Sequence, residues 1–282
     1  MSTMTINTKD IAELRARTGA GMMDCKKALE EANCDMSMAS EILRKKGIAK
    51  AEKRAGRDAS QGLVMIETAA DGSVAAMVEV NCETDFVARN EDFQALAKTL
   101  AVHALAHSPV GVTLEGYLAE PMNGTTVEEV VKLASGKTGE AVSIKRVAKF
   151  GGAVGEYRHF NGQVGVLVEL AGVTGEAAVA MAREVALHIA SADPIAVSTS
   201  DIPAELLERE RRIAEEQVAA EGKPEAIRGK IVDGKVAKFA SDRALLEQPF
   251  IKDESVKVGA MVARLAGASV VRFARFKVGE AV

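Results

Sequence analysis

The sequence predicts an α+β fold with a duplicated core, on the basis of three observations. Apolar residues recur every three to four positions over the first 46 residues, which is typical of helices, and the period changes to two from Gly62. The passage 72–80 recurs at 162–170, 90 positions later. A charge-rich helical pair follows the second copy. Two copies of one hairpin-and-helix unit therefore form the predicted core.

Three short helices are predicted at the N-terminus, over residues 9–17, 22–32 and 36–46. Gly19 and Gly21 separate the first two, and Asp35 is a natural N-cap for the third. Their few apolar side chains can form only a small core, so such a unit is marginally stable alone. We assign residues 1–56 to this helical domain.

The core begins with a predicted hairpin, strands 63–68 and 74–82 joined by an Asp71-Gly72 turn. An apolar helix follows each copy of the hairpin, at 96–107 and 179–191, and further strands are predicted at 142–150 and 269–278. The two antiparallel subdomains are assigned to residues 57–145 and to residues 146–198 with 240–282.

The insertion at 199–239 is predicted to be a helical hairpin. Its helices start at Ala204 and Glu225, and the segment 222–224 contains the helix breakers between them. The apolar positions form a stripe one residue wide, which favours a projecting coiled-coil hairpin. Such an arm either offers a binding face or is an inert elaboration.

Composition is that of a soluble globular chain, with 48% hydrophobic and 27% charged residues and a net charge of −4. No apolar run reaches the roughly 18 residues of a membrane helix, and the N-terminus does not resemble a signal peptide, so we expect a cytoplasmic protein with no membrane partner. Cys25, Cys34 and Cys82 are scattered, which favours three small buried hydrophobes over a disulfide framework or a zinc site.

Two ligand-binding motifs are incomplete in this sequence. Gly136-Lys137-Thr138 resembles the end of a phosphate-binding loop, but Val131 occupies the position where that motif needs glycine. His103 and His107 have the spacing of a metal site without a third ligand, so a partly buried pair is the better interpretation. We therefore expect no enzyme activity, no metal and no cofactor, and a protein that acts on another protein.

The segment 44–57 carries seven cations and one acid, Glu52. This excess could bind phosphate or an acidic protein surface, but no aromatic residue is available for base stacking. A solvated helix end is the simpler interpretation. An RNA-binding or ribosome-associated protein that uses this segment remains the alternative function, ahead of an undetected hydrolase.

The most informative segment is Val80-Asn-Cys-Glu-Thr-Asp-Phe-Val-Ala-Arg89, where an alternating strand runs into an acid and an aromatic residue. Asp85 and Phe86 lie at a predicted strand-to-helix corner. Exposed aromatic residues often anchor binding interfaces. The alternative is that Phe86 caps the local core while Asp85 is the N-cap of the next helix.

This segment, together with the stretch from Glu13 to Leu29, resembles the bacterial elongation factor Ts family, as do Gln248-Pro249-Phe250 and the ending 272–279. The resemblance implies a guanine nucleotide exchange factor for elongation factor Tu, which releases GDP and magnesium from that partner. It also implies an N-terminal domain similar to ubiquitin-associated modules, two related antiparallel α/β subdomains and a coiled-coil hairpin.

Candidate contact residues follow from the matching motifs. The Asp85-Phe86 pair is similar to the family's wedge, within the signature that also holds Thr84 and Val87. The resemblance implies further contacts with elongation factor Tu at Arg15, Met22, Met23 and His159, and we expect one of the two methionines to be exposed and the other buried. Direct binding of nucleotide or nucleic acid is not expected. A dimer of heterodimers is a possible assembly.

Two departures from the family pattern are visible. Cys34 stands where many members have glycine, in a turn where a side chain costs about 1 kcal/mol. The chain is also expected to lack an additional C-terminal helical module that some members carry, because it stops soon after Val278.

Overall fold

The computed structural model describes residues 6–222 and 224–281, which divide between two units. The first unit contains the chain up to Glu67, Ala76–Lys149 and the residues from Phe276 onward. The second contains Thr68–Ala75 and Phe150–Arg275. Helices and antiparallel strands are both present, so the predicted α+β class is confirmed.

Three helices open the first unit: α1 Thr8–Thr18, α2 Met22–Glu31 and α3 Met36–Glu52. Asp35 caps α3 as expected, since its side chain accepts a hydrogen bond from Met38 N–H. The third helix runs six residues beyond its predicted end at 46, because alanine, lysine and glutamate are good helix formers and Ala51 is buried. The small apolar core of these helices includes Leu14, Cys25, Ala28, Leu29 and Leu43.

The turn between α2 and α3 corrects one prediction. Cys34 is half-buried, not buried like the other two cysteines. Asn33 and Cys34 both have positive φ angles, 49° and 64°, and Cys34 N–H donates to Leu29 O at 2.9 Å. The turn therefore requires left-handed backbone at a residue with a Cβ, as the comparison with glycine anticipated.

The chain continues with elements that lie wholly or mostly in the first unit. They are, in chain order, β1 Gln61–Thr68, β2 Val74–Cys82, α4 Asp85–Ala88, α5 Glu91–His107, α6 Leu114–Ala119, β3 Pro121–Met122, β4 Thr125–Thr126, α7 Val127–Thr138 and β5 Ser143–Gly151. The main sheet has the order β1-β2-β5. The predicted turn at Asp71-Gly72, which belongs to the second unit, is present: Gly72 N–H donates to Ala69 O at 2.8 Å, and Gly72 has a φ of 69°. One face of the sheet packs on α5 and α7 around Phe93, Leu100 and Tyr117.

The second unit continues with β6 Ala153–Arg158, β7 Val164–Ala171, α8 Glu176–Ala192, α9 Ala204–Ala220, α10 Glu225–Arg243, β8 Pro249–Phe250, β9 Asp253–Lys257, α11 Val258–Ala263 and β10 Ser269–Lys277. Its main sheet has the order β10-β7-β6. Strands β6 and β7 are antiparallel, in register from Ala153 opposite Leu170 to Arg158 opposite Gly165. The sheet packs on α8 around Val166, Val185 and Ile189.

Helices α9 and α10 pack against each other through a thin apolar seam. Its buried members are Ala214, Val218 and Val232. Arg211 and Asp233 join the two helices by an ion pair of 2.8 Å. Of the predicted break at 222–224, Gly222 has a φ of 67°, and residue 223 lies outside the described residues.

Each unit has a buried histidine on a helix that packs on its main sheet, α5 in the first unit and α8 in the second. His103 Nε2 lies 3.0 Å from Pro121 O in the first unit, and His188 Nε2 lies 2.9 Å from Gln248 Oε1 in the second. Burial lowers the pKa of His188. His107 is exposed. The two histidines of α5 thus follow the interpretation of a partly buried pair.

Candidate functional site

The candidate site is the turn that joins β2 to α4. Thr84 is the N-cap of α4, because its hydroxyl accepts from Val87 N–H at 3.3 Å, and Asp85 is the first helical residue. Asp85 pairs instead with Arg89 at 3.0 Å. The prediction that Asp85 could be an N-cap is therefore wrong.

Phe86 does not cap the local core, since 83% of its surface is exposed. The opposite side of the same short helix is packed, because Ala88 is buried and Val87 contacts the main core of the first unit. A full phenyl ring in water forgoes roughly 2 kcal/mol of burial free energy. Exposed aromatic residues on a fixed element are typical of binding anchors.

A carboxylate from the α7–β5 turn fixes the backbone before Phe86. Glu140 Oε2 accepts from the N–H groups of Glu83 and Thr84, both at 3.1 Å, and Oε1 accepts from the Thr84 hydroxyl at 2.6 Å. In the reverse direction, Ala141 N–H donates to Glu83 Oε1 at 2.6 Å, and Arg57 donates to the same oxygen. These two donors hold the pKa of Glu83 below its usual value, the Ala141 bond having the larger effect.

Cys82 lies beneath this turn. Its thiol donates to Thr84 O at 3.2 Å. Burial and, to a smaller extent, the charge of Glu140 raise the pKa of the Cys82 thiol to about 12. The thiol therefore stays protonated near neutral pH and contributes packing to the turn.

The N-terminal candidates lie around the start of α2. Met22 and Met23 are both exposed, at 53% and 65%, so the expectation that one would be buried is wrong. Gly21 precedes them as an N-cap without a side chain, and Arg15 is exposed on α1. Two adjacent exposed methionines form an adaptable apolar surface.

His159 belongs to the second unit, whereas the other candidates belong to the first. Its Nδ1 lies 2.9 Å from Tyr157 Oη, and its ring lies 4.6 Å, between centroids, from the ring of Phe160. Sequence reasoning missed Phe160, which is 89% exposed at the tip of the β6–β7 hairpin. The signal that could have found it is its place just before the Asn161-Gly162 turn, where a large apolar side chain has no core to enter.

The cations of residues 44–57 are extensively paired. Carboxylates bind Arg44, Lys45, Lys46, Lys50 and Arg57 through Glu129, Glu41, Glu31, Asp24 and Glu83 respectively. Arg54 donates to Ser135 O at 3.0 Å. Residues 44–52 of the segment therefore belong to α3, and much of the charge of the segment is locally balanced.

Gly136 and Lys137 lie inside α7 and not in a phosphate-binding loop. Lys137 pairs with Asp92 at 2.7 Å. Gly136 lies against Gly47 of α3, where an added Cβ would sit 3.1 Å from the Gly47 Cα. This close approach of α3 and α7 places the N-terminal helices directly on the core of the first unit.

No group of three or more histidine, cysteine, aspartate or glutamate side chains in the part of the chain that the structure describes could hold a metal ion. Likewise, no helix within residues 6–222 and 224–281 has the length and apolar character needed to cross a membrane. The exposed Phe86 on a turn held by Glu140 is typical of a protein-binding chain.

Comparison with known proteins identifies the family within that class. The family model described as Elongation factor TS matches residues 83–280. Proteins named Elongation factor Ts from Thioalkalivibrio sulfidiphilus (strain HL-EbGR7) and Methylococcus capsulatus (strain ATCC 33009 / NCIMB 11132 / Bath) are 44% and 42% identical to the chain. Each alignment covers 99% of this chain and 94% of the relative. The chain belongs to the elongation factor Ts family.

Proposed function

We propose that this protein is a guanine nucleotide exchange factor for elongation factor Tu. Membership of the elongation factor Ts family supports this function, and the exposed Phe86 on its braced turn is the observation that carries the mechanism. GDP and its magnesium ion belong to the partner. This protein needs no cofactor or catalytic group of its own.

Exchange requires only differential binding. A protein that binds the nucleotide-free partner more tightly than the GDP-bound partner weakens GDP binding by the same factor, because the two equilibria are linked. A thousandfold faster release corresponds to roughly 4 kcal/mol off the barrier. One well-buried aromatic anchor with its neighbours can contribute that amount.

Phe86 inserts between elements of the partner's nucleotide domain and disturbs its magnesium and phosphate side. Asp85 accompanies the ring as the first residue of α4, while Thr84 caps the helix and Val87 anchors it to the core. The ring gains apolar burial mainly as the partner opens to release GDP, so its contribution appears chiefly in the maximal rate of release.

Additional contacts orient the partner. Arg15, Met22 and Met23 supply a contact from the N-terminal domain, and His159 supplies one from the second unit. The arrangement we propose comprises a ubiquitin-associated-like domain over residues 1–56, two duplicated subdomains over 57–145 and over 146–198 with 240–282, and a projecting coiled-coil hairpin over 199–239. A cytoplasmic location and a dimer of heterodimers belong to the same proposal.

The test measures release of fluorescent GDP from elongation factor Tu. Phe86→Ala is expected to lower the maximal stimulated rate by about a hundredfold, the loss expected for a hot-spot side chain. Val102→Ala removes another exposed apolar side chain, on α5, and serves as the matched control. Wild-type stimulation by Phe86→Ala with full complex formation would refute the wedge.

The dependence of binding affinity on ionic strength distinguishes the RNA-binding alternative from the exchange-factor proposal. A phosphate-driven complex loses affinity steeply as ionic strength rises, whereas a complex that depends on an apolar wedge loses much less. The carboxylate partners of the cations in residues 44–57 favour the protein partner. A steep salt slope for binding would favour RNA instead.

A further inference from the structure

We propose that Glu140 is a positioning residue for nucleotide exchange. From the turn between α7 and β5, it holds the turn between β2 and α4, here called the Phe86 turn, in its active geometry. The inference rests on the proposed exchange function and adds a residue that lies outside the Thr84–Val87 signature. Glu140 is separated from Thr84 by 56 residues of chain and meets it only in the folded protein.

Packing does little to fix the direction of Phe86, because 83% of its surface is exposed. Its position depends on α4, which is only four residues long. So short a helix does not persist by itself, since nucleation is unfavourable and few internal hydrogen bonds form. The direction of the ring must therefore be set by groups that hold the start of α4.

Glu140 supplies those groups. Its two oxygens accept three hydrogen bonds, from two successive backbone N–H groups and the Thr84 hydroxyl. Because the Thr84 hydroxyl donates its proton to Glu140, its lone pair is free to accept from Val87 N–H and cap α4. A relay thus runs from the carboxylate, through the cap, to the helix that carries the ring. Hydrogen bonds to a charged acceptor are the stronger kind.

The backbone of Glu140 is itself firmly placed. Gly139 ends α7 with a φ of 81°, and the buried Ser135 hydroxyl donates to Glu140 O at 2.5 Å. Ala141 N–H returns a hydrogen bond to Glu83, so the two turns are connected in both directions. The Phe86 turn is therefore braced against α7, one of the main elements of the first unit.

A purely structural role makes a different prediction from a positioning role. A structural defect lowers the active fraction or the stability of the whole unit. A positioning defect leaves the protein folded and able to bind, and it acts only through Phe86. The two roles are separated by combining Glu140→Ala with Phe86→Ala in a double-mutant cycle.

The experiment measures GDP release from elongation factor Tu at increasing concentrations of the exchange factor. Glu140→Ala is expected to lower the maximal rate about tenfold, as for loss of an N-cap, with little change in the concentration for half-maximal stimulation. In the Phe86→Ala background the same change is expected to have no further effect. Glu128→Ala removes an exposed carboxylate of α7 that pairs with Lys132 and is the matched control.

Hydrogen exchange of the free protein provides the second readout. Faster exchange in Glu140→Ala is expected at the amides of residues 83–87, with the strands of the first unit unchanged. If Glu140→Ala does not fold, Thr84→Val breaks the same relay from its other end, and Thr84→Ser, which keeps the hydroxyl, is expected to restore the rate.

Each outcome is decisive. A normal rate for Glu140→Ala, when Phe86→Ala is slow, overturns the positioning role while the wedge stands. Independent, multiplying effects of the two changes overturn it as well. A normal rate for Phe86→Ala removes the wedge and the positioning role together, and that single variant identifies the failure as one of the proposed function.

Discussion

Removal of Arg146 is expected to destabilise the first unit more than any surface substitution. Its guanidinium donates to Glu79 at 2.6 Å and to Lys277 O at 3.0 Å. Glu79 is fully buried, and its Oε1 has no hydrogen-bond partner among the described residues. Arg146→Ala would leave a carboxylate in the core with no counter-charge, which costs about 3–5 kcal/mol in the free energy of unfolding.

The second unit contains the same chemistry at a more exposed position. Glu169 and Arg272 pair at 2.7 Å, and the guanidinium lies 4.3 Å from the ring centre of Phe150. The Arg272 side chain is 40% exposed, compared with 15% for Arg146. Solvent screens the exposed pair, so Arg272→Ala should cost only about 1 kcal/mol from the ion pair and the cation–π contact.

Urea unfolding with hydrogen exchange at the amides of β2 and β7 measures the two costs separately, because a chain of two units need not unfold in one step. Glu79→Leu combined with Arg146→Met removes both charges and is expected to recover most of the stability. Equal costs for the two arginines, or a larger cost for Arg272→Ala, would refute the argument from burial.

The remaining predictions concern packing and the cysteines. Gly155→Ala should lower the free energy of unfolding of the second unit by at least about 1–3 kcal/mol, because the new Cβ would lie 2.1 Å from the Ala182 carbonyl carbon of α8. Gly229→Ala, where the new Cβ on α10 would meet open space, should instead stabilise the helix by up to about 1 kcal/mol, and thermal unfolding measures both changes. Thiol labelling at pH 8 should detect one fast cysteine, Cys34, because the other two are buried and the raised pKa of Cys82 keeps its thiol protonated. Cys34→Gly should abolish the fast labelling. It should also raise the free energy of unfolding by about 1 kcal/mol, because Cys34 has a φ of 64°, which glycine adopts without strain. Fast labelling of Cys82, or a lower stability of Cys34→Gly, would contradict these expectations.

Local sequence signals predicted the elements whose structure is locally determined. The Asp71-Gly72 pair marks its turn because only a small set of residues tolerates the backbone angles of a tight hairpin. Asp35 marks the start of α3 because a carboxylate can cap a helix with its own side chain. The predicted start of α5, at 96, is five residues later than the observed start at Glu91, because the cap Asn90 directly follows the segment 80–89 and its capping signal was not used.

Features that depend on distant parts of the chain were not predictable in this way. The pattern around Phe86 fits both an exposed ring and a core ring, and only the packing of Ala88 and Val87 decides between them. Glu140 gives no local signal at all, since a lone glutamate after a glycine resembles an ordinary surface residue. Its role depends on the backbone N–H groups of Glu83 and Thr84, which are 57 and 56 residues away along the chain and meet Glu140 only in the folded protein.

The contact of Gly47 with Gly136 also affects how the protein can evolve. Any larger residue at 136 would push α3 away from α7, and the surface that carries Met22 and Met23 would shift with it. The two exposed apolar surfaces of the first unit, Met22 with Met23 and Phe86, therefore keep a set spacing. If both contact the partner as proposed above, a change in the partner surface that receives one of them has to preserve its distance from the surface that receives the other, so the two partner surfaces are expected to change together.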